Sequence, residues 1–375
     1  MSPIARVMVR EIRRLPRLPV LWAVLLPIPV GAALLLTGVF GAQVARQLPI
    51  GALDFDGSQA SRLVVRWAGA ARTVNIVSRV QDLGEAESLL LRRKLYAVLV
   101  VPRHFERDLL HQRSPRVTLL YNEQYLTAGN LISADVARAV NAASGAAAEA
   151  AAQPVRVDSR LLFNPAINYA SGVGLVLIAG LVQVVAGLST IYVVGRELRD
   201  GTAGEWLNTA GGSPVVAWIG KLTPYLCFDL MLSWFLVGGF IAWFRIPVLG
   251  SIGFLILGTA AFALATIALG VLLIAWTANL RQALGIGSIL FGSAVAFSGV
   301  TFPRIAMSGF ARGWGDLVPL TRFMELLRDQ VMVGAPPVVS AEPVLALGVI
   351  ALLAGLLASP RMGRVLRDHR LWGRE

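Results

Sequence analysis

The feature that most constrains this chain is a series of long apolar stretches that are almost free of charge. About 20 consecutive apolar residues are needed for a helix to cross the hydrocarbon core of a bilayer. Only 15% of the chain is charged, whereas soluble globular proteins average about a quarter. The sequence therefore predicts an α-helical integral membrane protein with six transmembrane helices. The stretches lie at 18–45, 161–195, 230–244 (from 222 if Asp229 is tolerated), 246–280, 282–303 and 343–360.

Local signals set the boundaries between these helices. Pro247 and Gly250 separate the third helix from the fourth, and Arg281 separates the fourth from the fifth, because proline, glycine and charge all disfavour a continuous lipid-exposed helix. The predicted organisation begins with a cytoplasmic interfacial helix at 1–17, transmembrane helix 1 at 18–45 and an extracytoplasmic domain at 46–160. Transmembrane helices 2–6 follow within 161–360, at about 166–194, 222–244, 251–277, 282–302 and 343–360. A cytoplasmic coupling loop is predicted at 195–221, an outer re-entrant segment at 304–341 and a basic cytoplasmic tail at 361–375.

The distribution of Arg and Lys predicts the orientation. The short segments on the N-terminal side of the membrane hold fourteen of them, and those on the opposite side hold five. Short loops rich in Arg and Lys stay preferentially in the cytoplasm. Both termini are therefore predicted to be cytoplasmic. This bias accounts for most of the net charge of +12, so nucleic acid is not required as a partner.

The N-terminal segment has a second pattern, in which apolar residues recur at helical spacing and arginines occupy the opposite face. This arrangement is typical of a helix that lies in the lipid headgroup plane. The apolar residues are Ile4, Val7, Met8, Ile12 and Leu15, and the basic ones are Arg6, Arg10, Arg13, Arg14 and Arg17. Membrane lipids are the expected partner of this helix. The C-terminal tail shows a weaker version of the same pattern.

The block at 46–160 is the hydrophilic segment large enough to fold by itself. Strand-like and helix-like pieces alternate along it, which predicts an inserted α/β sheet domain. The predicted strands are 48–53, 73–78, 95–101 and 117–121, and the predicted helices are 58–71, 82–93, 103–111 and 127–152.

One motif in this block raises an enzymatic hypothesis. The run Asp54-Phe55-Asp56-Gly57-Ser58 resembles the first motif of haloacid-dehalogenase-type phosphatases. That chemistry also needs a suitably placed lysine and a later acidic pair for Mg²⁺, and neither follows in the block. A strand that ends in an Asp/Gly turn is the preferred interpretation, so no catalytic residue is predicted.

Metal and disulfide chemistry are not expected either. His104 and His111 have no third ligand at a useful spacing, and a solvated helix face explains them better. Cys227 is the single cysteine, so an internal disulfide is excluded.

The loop between the second and third helices carries the most specific pattern. It holds Arg196-Glu197, Gly201-Thr202, Glu205-Trp206-Leu207 and Gly220-Lys221 with Pro224, and it resembles a segment of the permease subunits of type-2 ABC exporters. The resembling branch has a large extracytoplasmic domain between its first two helices. One departure is Gly204, because the family usually places an acidic residue there; the usual T-P is also replaced, with the proline delayed to Pro214. Other segments of the chain resemble the same family and follow in the same order along the sequence. They are the D-x-D-x-S run, Pro102 with Phe105, 297–303, 319–320 and 326–328.

The resemblance implies that this loop couples the permease to an ATPase. The implied coupling residues are Arg196, Glu197, Gly201, Thr202, Glu205, Trp206 and Leu207. Ion pairs of Arg196 and Glu197 are expected to orient the loop, and Trp206 and Leu207 are expected to fill an apolar groove in the ATPase. The substrate-binding residues are unknown.

The resemblance also implies the partners. No P-loop motif accommodates either of the two lysines, so ATP and Mg²⁺ would bind to separate ATPase subunits and this chain would hold no cofactor. The implied complex lies in a bacterial inner membrane and contains two ATPase copies and a second permease, identical or paralogous. A periplasmic adaptor is a further partner that the resemblance allows. Substrates of this family tend to be amphiphilic drugs, lipids or polymers.

Two alternative functions stay open at this point. The chain could instead be a membrane-anchored binding or adaptor protein without transport, or the outward-facing phosphatase considered above. An ATPase that co-purifies with the chain would favour transport.

Asp229 lies within the third helix, where a carboxylate is costly and often functional. Pairing with an arginine is the preferred explanation for it.

Overall fold

The computed structural model describes residues 1–17, 19–41, 47–92, 94–111, 113, 115–121, 132–141, 170–300, 302 and 304–373. These residues belong to two compact units. The first unit comprises Met1–Gly41 and Asn168–Glu375, and the second comprises Ala42–Ile167.

The described part of the chain is mostly helical, with one small sheet. The α-helices are α1 Pro3–Arg14, α2 Pro19–Leu25, α3 Pro27–Val39, α4 Gln59–Gly69, α5 Leu83–Leu91, α6 Phe105–Leu110, α7 132–141, α8 Leu175–Arg199, α9 Ala203–Thr209, α10 Pro214–Ser233, α11 Gly239–Trp243, α12 Ile252–Thr277, α13 Leu280–Gly292, α14 Ala294–Phe297, α15 Gly309–Leu317, α16 Pro319–Leu327 and α17 Pro337–Val365. The strands are β1 Leu48–Asp54, β2 Val74–Arg79, β3 Ala97–Val101 and β4 Thr118–Tyr121. The predicted helix at 127–152 is observed as α7, and its remaining positions lie outside the described residues.

Local sequence explains where several helices begin. The side chains of Ser2 and Ser213 accept hydrogen bonds from amides three residues later, at 3.3 and 3.4 Å. Each serine is followed by a proline, Pro3 or Pro214, at the first helical position. Serine at the N-cap satisfies an otherwise unpaired amide, and proline costs nothing at a position whose N–H has no helical partner.

Six helical segments in the described part of the first unit are long and apolar enough to cross a membrane, and the predicted fold class is confirmed. The second and fourth spans are the most buried, because α8 packs against α12 and α13 while α12 also packs against α17. The six segments are Leu21–Val39, Ala170–Arg199, Pro214–Trp243, Ile252–Thr277, Leu280–Phe297 and Pro337–Val365.

The connection between the second and third spans is shorter than the predicted loop at 195–221. Helix α8 continues to Arg199 and α10 already begins at Pro214. Charged residues did not end these helices, because Glu197 and Lys221 are paired inside the unit and need no exposed loop. Only residues 200–213 therefore join the two spans.

The segment after the fifth span forms the short helices α15 and α16. Four charged residues hold it together: Arg304 contacts Asp316 at 2.6 Å and Glu325 at 3.5 Å, and Arg322 contacts the same two carboxylates at 2.8 and 3.0 Å. The dip of this segment into the outer leaflet stays a prediction.

The second unit contains a four-stranded sheet with the order β2-β1-β3-β4. β1 pairs in parallel with β2 and β3, and β3 pairs antiparallel with β4. Ile50 faces a core that includes Ala68 of α4 and Ile132 of α7, whereas Leu53 faces one that includes Ala86 of α5. The sheet therefore has helices on both faces, and its strands and helices alternate along the chain as the sequence predicted.

Candidate functional site

We define the terminal face as residues 3–17, 196–221 and 361–373. Helix α1 packs along α10 and against α9. The close fit of α1 on α10 depends on Gly220, since a Cβ there would lie 2.9 Å from Cβ of Val7 and 3.0 Å from the carbonyl oxygen of Ile4. The end of α17 reaches the start of α10, where an added Cβ at Gly363 would contact Pro214 at 3.6 Å.

Helix α9 is bounded by two glycine caps. The amides of Gly201 and Thr202 donate to the carbonyls of Leu198 and Glu197, which closes the end of α8. Gly201 has φ +69°, a conformation that glycine adopts without the strain a side chain would cause. Gly211 and Gly212 make the same two-bond cap at the end of α9, with φ +69° and +80°. These two caps set the bounds of the short helix α9.

Glu197 lies in the last turn of α8, where the helix dipole disfavours a negative charge. Three cations offset this cost. Arg10 donates to both carboxylate oxygens at 2.9 and 3.0 Å, Arg14 donates at 3.1 Å and Lys221 at 3.0 Å. Thr202 Oγ1 also donates to this carboxylate. A single carboxylate thus joins α1, α8 and α10.

Lys221 carries the most buried charge of this group, with 2% of its side chain exposed. Its Nζ lies 2.6 and 2.5 Å from the two carboxylate oxygens of Glu11, which is itself buried. The ammonium also lies 5.1 Å from the ring centre of Trp206, within the range of a cation–π interaction. We call Arg10, Glu11, Arg14, Glu197 and Lys221 the ion cluster.

A cavity of about 210 Å³ borders the ion cluster. Glu11, Arg14, Lys221 and two tyrosines, Tyr192 and Tyr225, contribute to its wall. The charged groups of the ion cluster therefore border open space.

Trp206 does not have the predicted role. Its side chain is fully buried within the first unit, and its Nε1 donates to the carbonyl of Ala217 at 3.0 Å. The expectation that this ring fills a groove in an ATPase is therefore wrong. Trp206 instead fixes α9 to α10 from within.

The other predicted coupling residues divide between structural and exposed positions. Arg196 pairs with Asp200 at 2.9 Å. Burial raises the pKa of Asp200, but hydrogen bonds from Arg199 and Arg196 outweigh it and hold that pKa below its usual range. Glu205 is 72% exposed and lies 3.6 Å from Arg14, and Leu207 is half-buried. Glu205 is therefore available to a partner.

Sequence reasoning missed the contribution of α1 to this site. Arg10 and Arg14 were assigned to lipid headgroups, yet both bind Glu197. Glu11 was not singled out, although it is the one acidic residue in the otherwise basic segment 1–17. An isolated acid in a basic amphipathic helix, together with a single lysine in the facing segment, was the signal available.

Asp229 is buried, and neither of its carboxylate oxygens has a hydrogen-bond partner within the described residues. The predicted pairing with an arginine is not found among the residues that the structure describes. The next turn of α10 presents Ser233, whose hydroxyl is also buried without a partner among these residues. A polar strip therefore continues from the ion cluster into the span.

The acidic motif of the second unit forms a turn. Asp54 accepts hydrogen bonds from the amides of Asp56 and Gly57 at 3.0 Å and from the Ser61 hydroxyl at 2.7 Å. A hydrogen bond from the Ser58 side chain holds the pKa of Asp56 below its usual range. The same carboxylate caps α6 by accepting from the amide of Glu106. These bonds agree with the turn that the sequence favoured.

Comparison with known protein families gives a match over most of the chain. A family model described as "ABC-2 family transporter protein" matches residues 19–359. The match covers the first five membrane spans, the sixth span as far as residue 359, the inserted unit and the connection between α8 and α10. No curated protein shows a significant match to the chain.

Proposed function

The chain belongs to the ABC-2 family of transporter proteins and is a membrane permease of an ABC transporter, and from this premise we propose that it exports an amphiphilic substrate. Drugs, lipids and polymers are the substrate classes proposed. The family works with ABC ATPase subunits and is a transport component rather than a catalyst.

The observation that carries the proposal is the direct attachment of α9 to two membrane spans. Its start is tied to the end of α8 by the glycine cap, and Trp206 ties it to α10. A short helix held at both ends passes a displacement to the helices it joins, because packed elements move as bodies. We propose that the ATPase pushes on α9 and thereby moves the second and third spans.

The ATPase would contact the exposed side of this connection. Glu205 and Asn208 are exposed on α9, and Gly211 and Gly212 are exposed just beyond it. The ion cluster lies behind this surface and joins α1 to the same movement. In the proposed orientation the terminal face is cytoplasmic, which the fourteen basic residues on that side of the membrane support.

The proposed assembly contains two permease chains, identical or paralogous, and two ATPase subunits in a bacterial inner membrane. This chain would bind no cofactor itself, since ATP and Mg²⁺ would occupy the ATPase. The spans are rich in small residues, and they carry no pattern of charge that would select one substrate class.

Affinity purification of the full-length chain in mild detergent tests the proposal. We expect an ABC ATPase to co-purify, and candidate amphiphiles to stimulate its ATP hydrolysis in proteoliposomes. Glu205→Arg is expected to weaken the co-purification, while Arg312→Glu, on the proposed outer side, serves as a matched control. A chain that purifies without any ATPase, and whose second unit binds a ligand, would favour the adaptor alternative.

A further inference from the structure

Residues 366–373 fold back onto the end of α8 and onto α9, and we call them the C-terminal hook. Helix α17 ends at Val365, and a 3₁₀ turn at His369–Leu371 reverses the chain. The Asp368 carboxylate caps this turn by accepting from the amide of Arg370 at 3.0 Å. The indole Nε1 of Trp372 then donates to the carbonyl of Val365 at 3.0 Å. The hook is therefore a folded element, although the sequence predicted only a weakly amphipathic tail.

The hook completes the cap of α8. The amide of Gly373 donates to the carbonyl of Leu198 at 2.9 Å, and the same oxygen accepts from Gly201 at 3.3 Å. The last carbonyls of a helix have no partner within it and require one from outside. Gly373 has φ +70°, which favours glycine at this position. The hook that follows the sixth span is thus hydrogen-bonded to the end of the second span.

The hook also contacts α9 through the ring of Trp372. A Cβ added to Gly204 would lie 3.0 Å from Cη2 and 3.5 Å from Cζ3 of this ring. The imidazole of His369 stacks on the indole, with ring centres 4.0 Å apart. Gly204 is the position at which this sequence departs from the acidic residue usual in the resembling exporters. The indole occupies space that a side chain at position 204 would need.

We infer that the C-terminal hook clamps α9 to the ends of α8 and α17, so that displacement of α9 reaches the sixth span as well as the second and third. The inference rests on the proposed function, because it specifies how force applied to α9 spreads. Trp206 already ties α9 to α10, and the indole of Trp372 adds a second side-chain contact, from the segment that follows α17. Gly204 and Trp372 are positioning residues in this scheme.

The contact itself can be tested without an ATPase. Gly204→Ala in an otherwise unchanged chain is expected to lower the unfolding midpoint by roughly 2–4 °C, because the new methyl group meets the indole. In a Trp372→Ala background the same substitution is expected to raise the midpoint, since alanine is the better helix former once the space is free. Detergent-solubilised full-length chains and a thermal aggregation assay supply the four midpoints.

The positioning role is tested in the reconstituted complex by the substrate stimulation of ATP hydrolysis. Trp372→Ala is expected to reduce this stimulation about fivefold or more, the lower end of typical coupling between sites. Basal hydrolysis and co-purification of the ATPase should be retained, because the exposed side of α9 is unchanged. Trp276→Ala removes a tryptophan that is 61% exposed and is the matched control.

The outcomes separate the two proposals. Reversal of the Gly204→Ala effect together with weaker stimulation supports the clamp. The same sign in both backgrounds refutes the contact, and a reversal with unchanged stimulation refutes the positioning role. A wild-type chain that retains no ATPase refutes the proposed function, and the force-transmitting role of the hook is then refuted as well. The four unfolding midpoints still decide whether Gly204 and Trp372 are in contact.

Discussion

Replacement of Lys221 by methionine is the most informative single perturbation of the ion cluster. Methionine keeps most of the apolar stem, so the main loss is the ammonium group. Glu197 would retain Arg10 and Arg14, but Lys221 is the only cation that pairs with Glu11 within the described residues. The substitution therefore leaves one buried carboxylate without a counter-charge.

The magnitude follows from this asymmetry. Breaking a buried ion pair by removal of one partner typically costs about 3–5 kcal/mol. We expect Lys221→Met to lower the free energy of unfolding by this amount. Glu11→Gln should cost only about 1–3 kcal/mol, because Lys221 keeps its contact with Glu197. The double variant should recover most of the loss, since replacing both members of a buried pair is often close to neutral.

Equilibrium unfolding of the full-length chain in mixed micelles, followed by tryptophan fluorescence, supplies the free energies. Arg13→Met is the matched control: Arg13 is an exposed residue of α1, and its substitution should change stability by less than about 0.5 kcal/mol. A loss below about 1 kcal/mol for Lys221→Met, or a double variant as unstable as the sum of its parents, would refute the reasoning.

The remaining predictions concern orientation, the intramembrane acid and the acidic turn. In a Cys227→Ser background, a cysteine at position 82 should react with an impermeant maleimide added from outside and one at position 205 should not; the reverse pattern would overturn the topology. Asp229→Asn should raise the unfolding midpoint, because an uncharged amide is cheaper to bury than an unpaired carboxylate, and a lower midpoint would reveal a counter-charge. Asp54→Asn should lower the free energy of unfolding by roughly 1 kcal/mol and leave export intact. Loss of export in a variant that still folds would favour the catalytic interpretation of this motif.

The sequence by itself determined the class of the protein. Uninterrupted apolar length decides whether a helix can cross a bilayer, and this is a local property that needs no knowledge of packing. The α/β alternation of the second unit and the helix between Gly201 and Gly211 were predictable for the same reason, because turn and cap chemistry acts over a few residues.

Tertiary structure alone decided what the charged residues do. Arg10 and Glu197 are separated by 187 positions, and the two partners of the Lys221–Glu11 pair by 210. Helical periodicity placed Arg10 on a polar face but could not say whether lipid or protein lies opposite, and Trp206 had the same ambiguity between a partner's groove and its own core. Whether a polar or aromatic side chain meets solvent, lipid or another helix depends on which distant segments pack together, and that choice fixed both the ion cluster and the C-terminal hook.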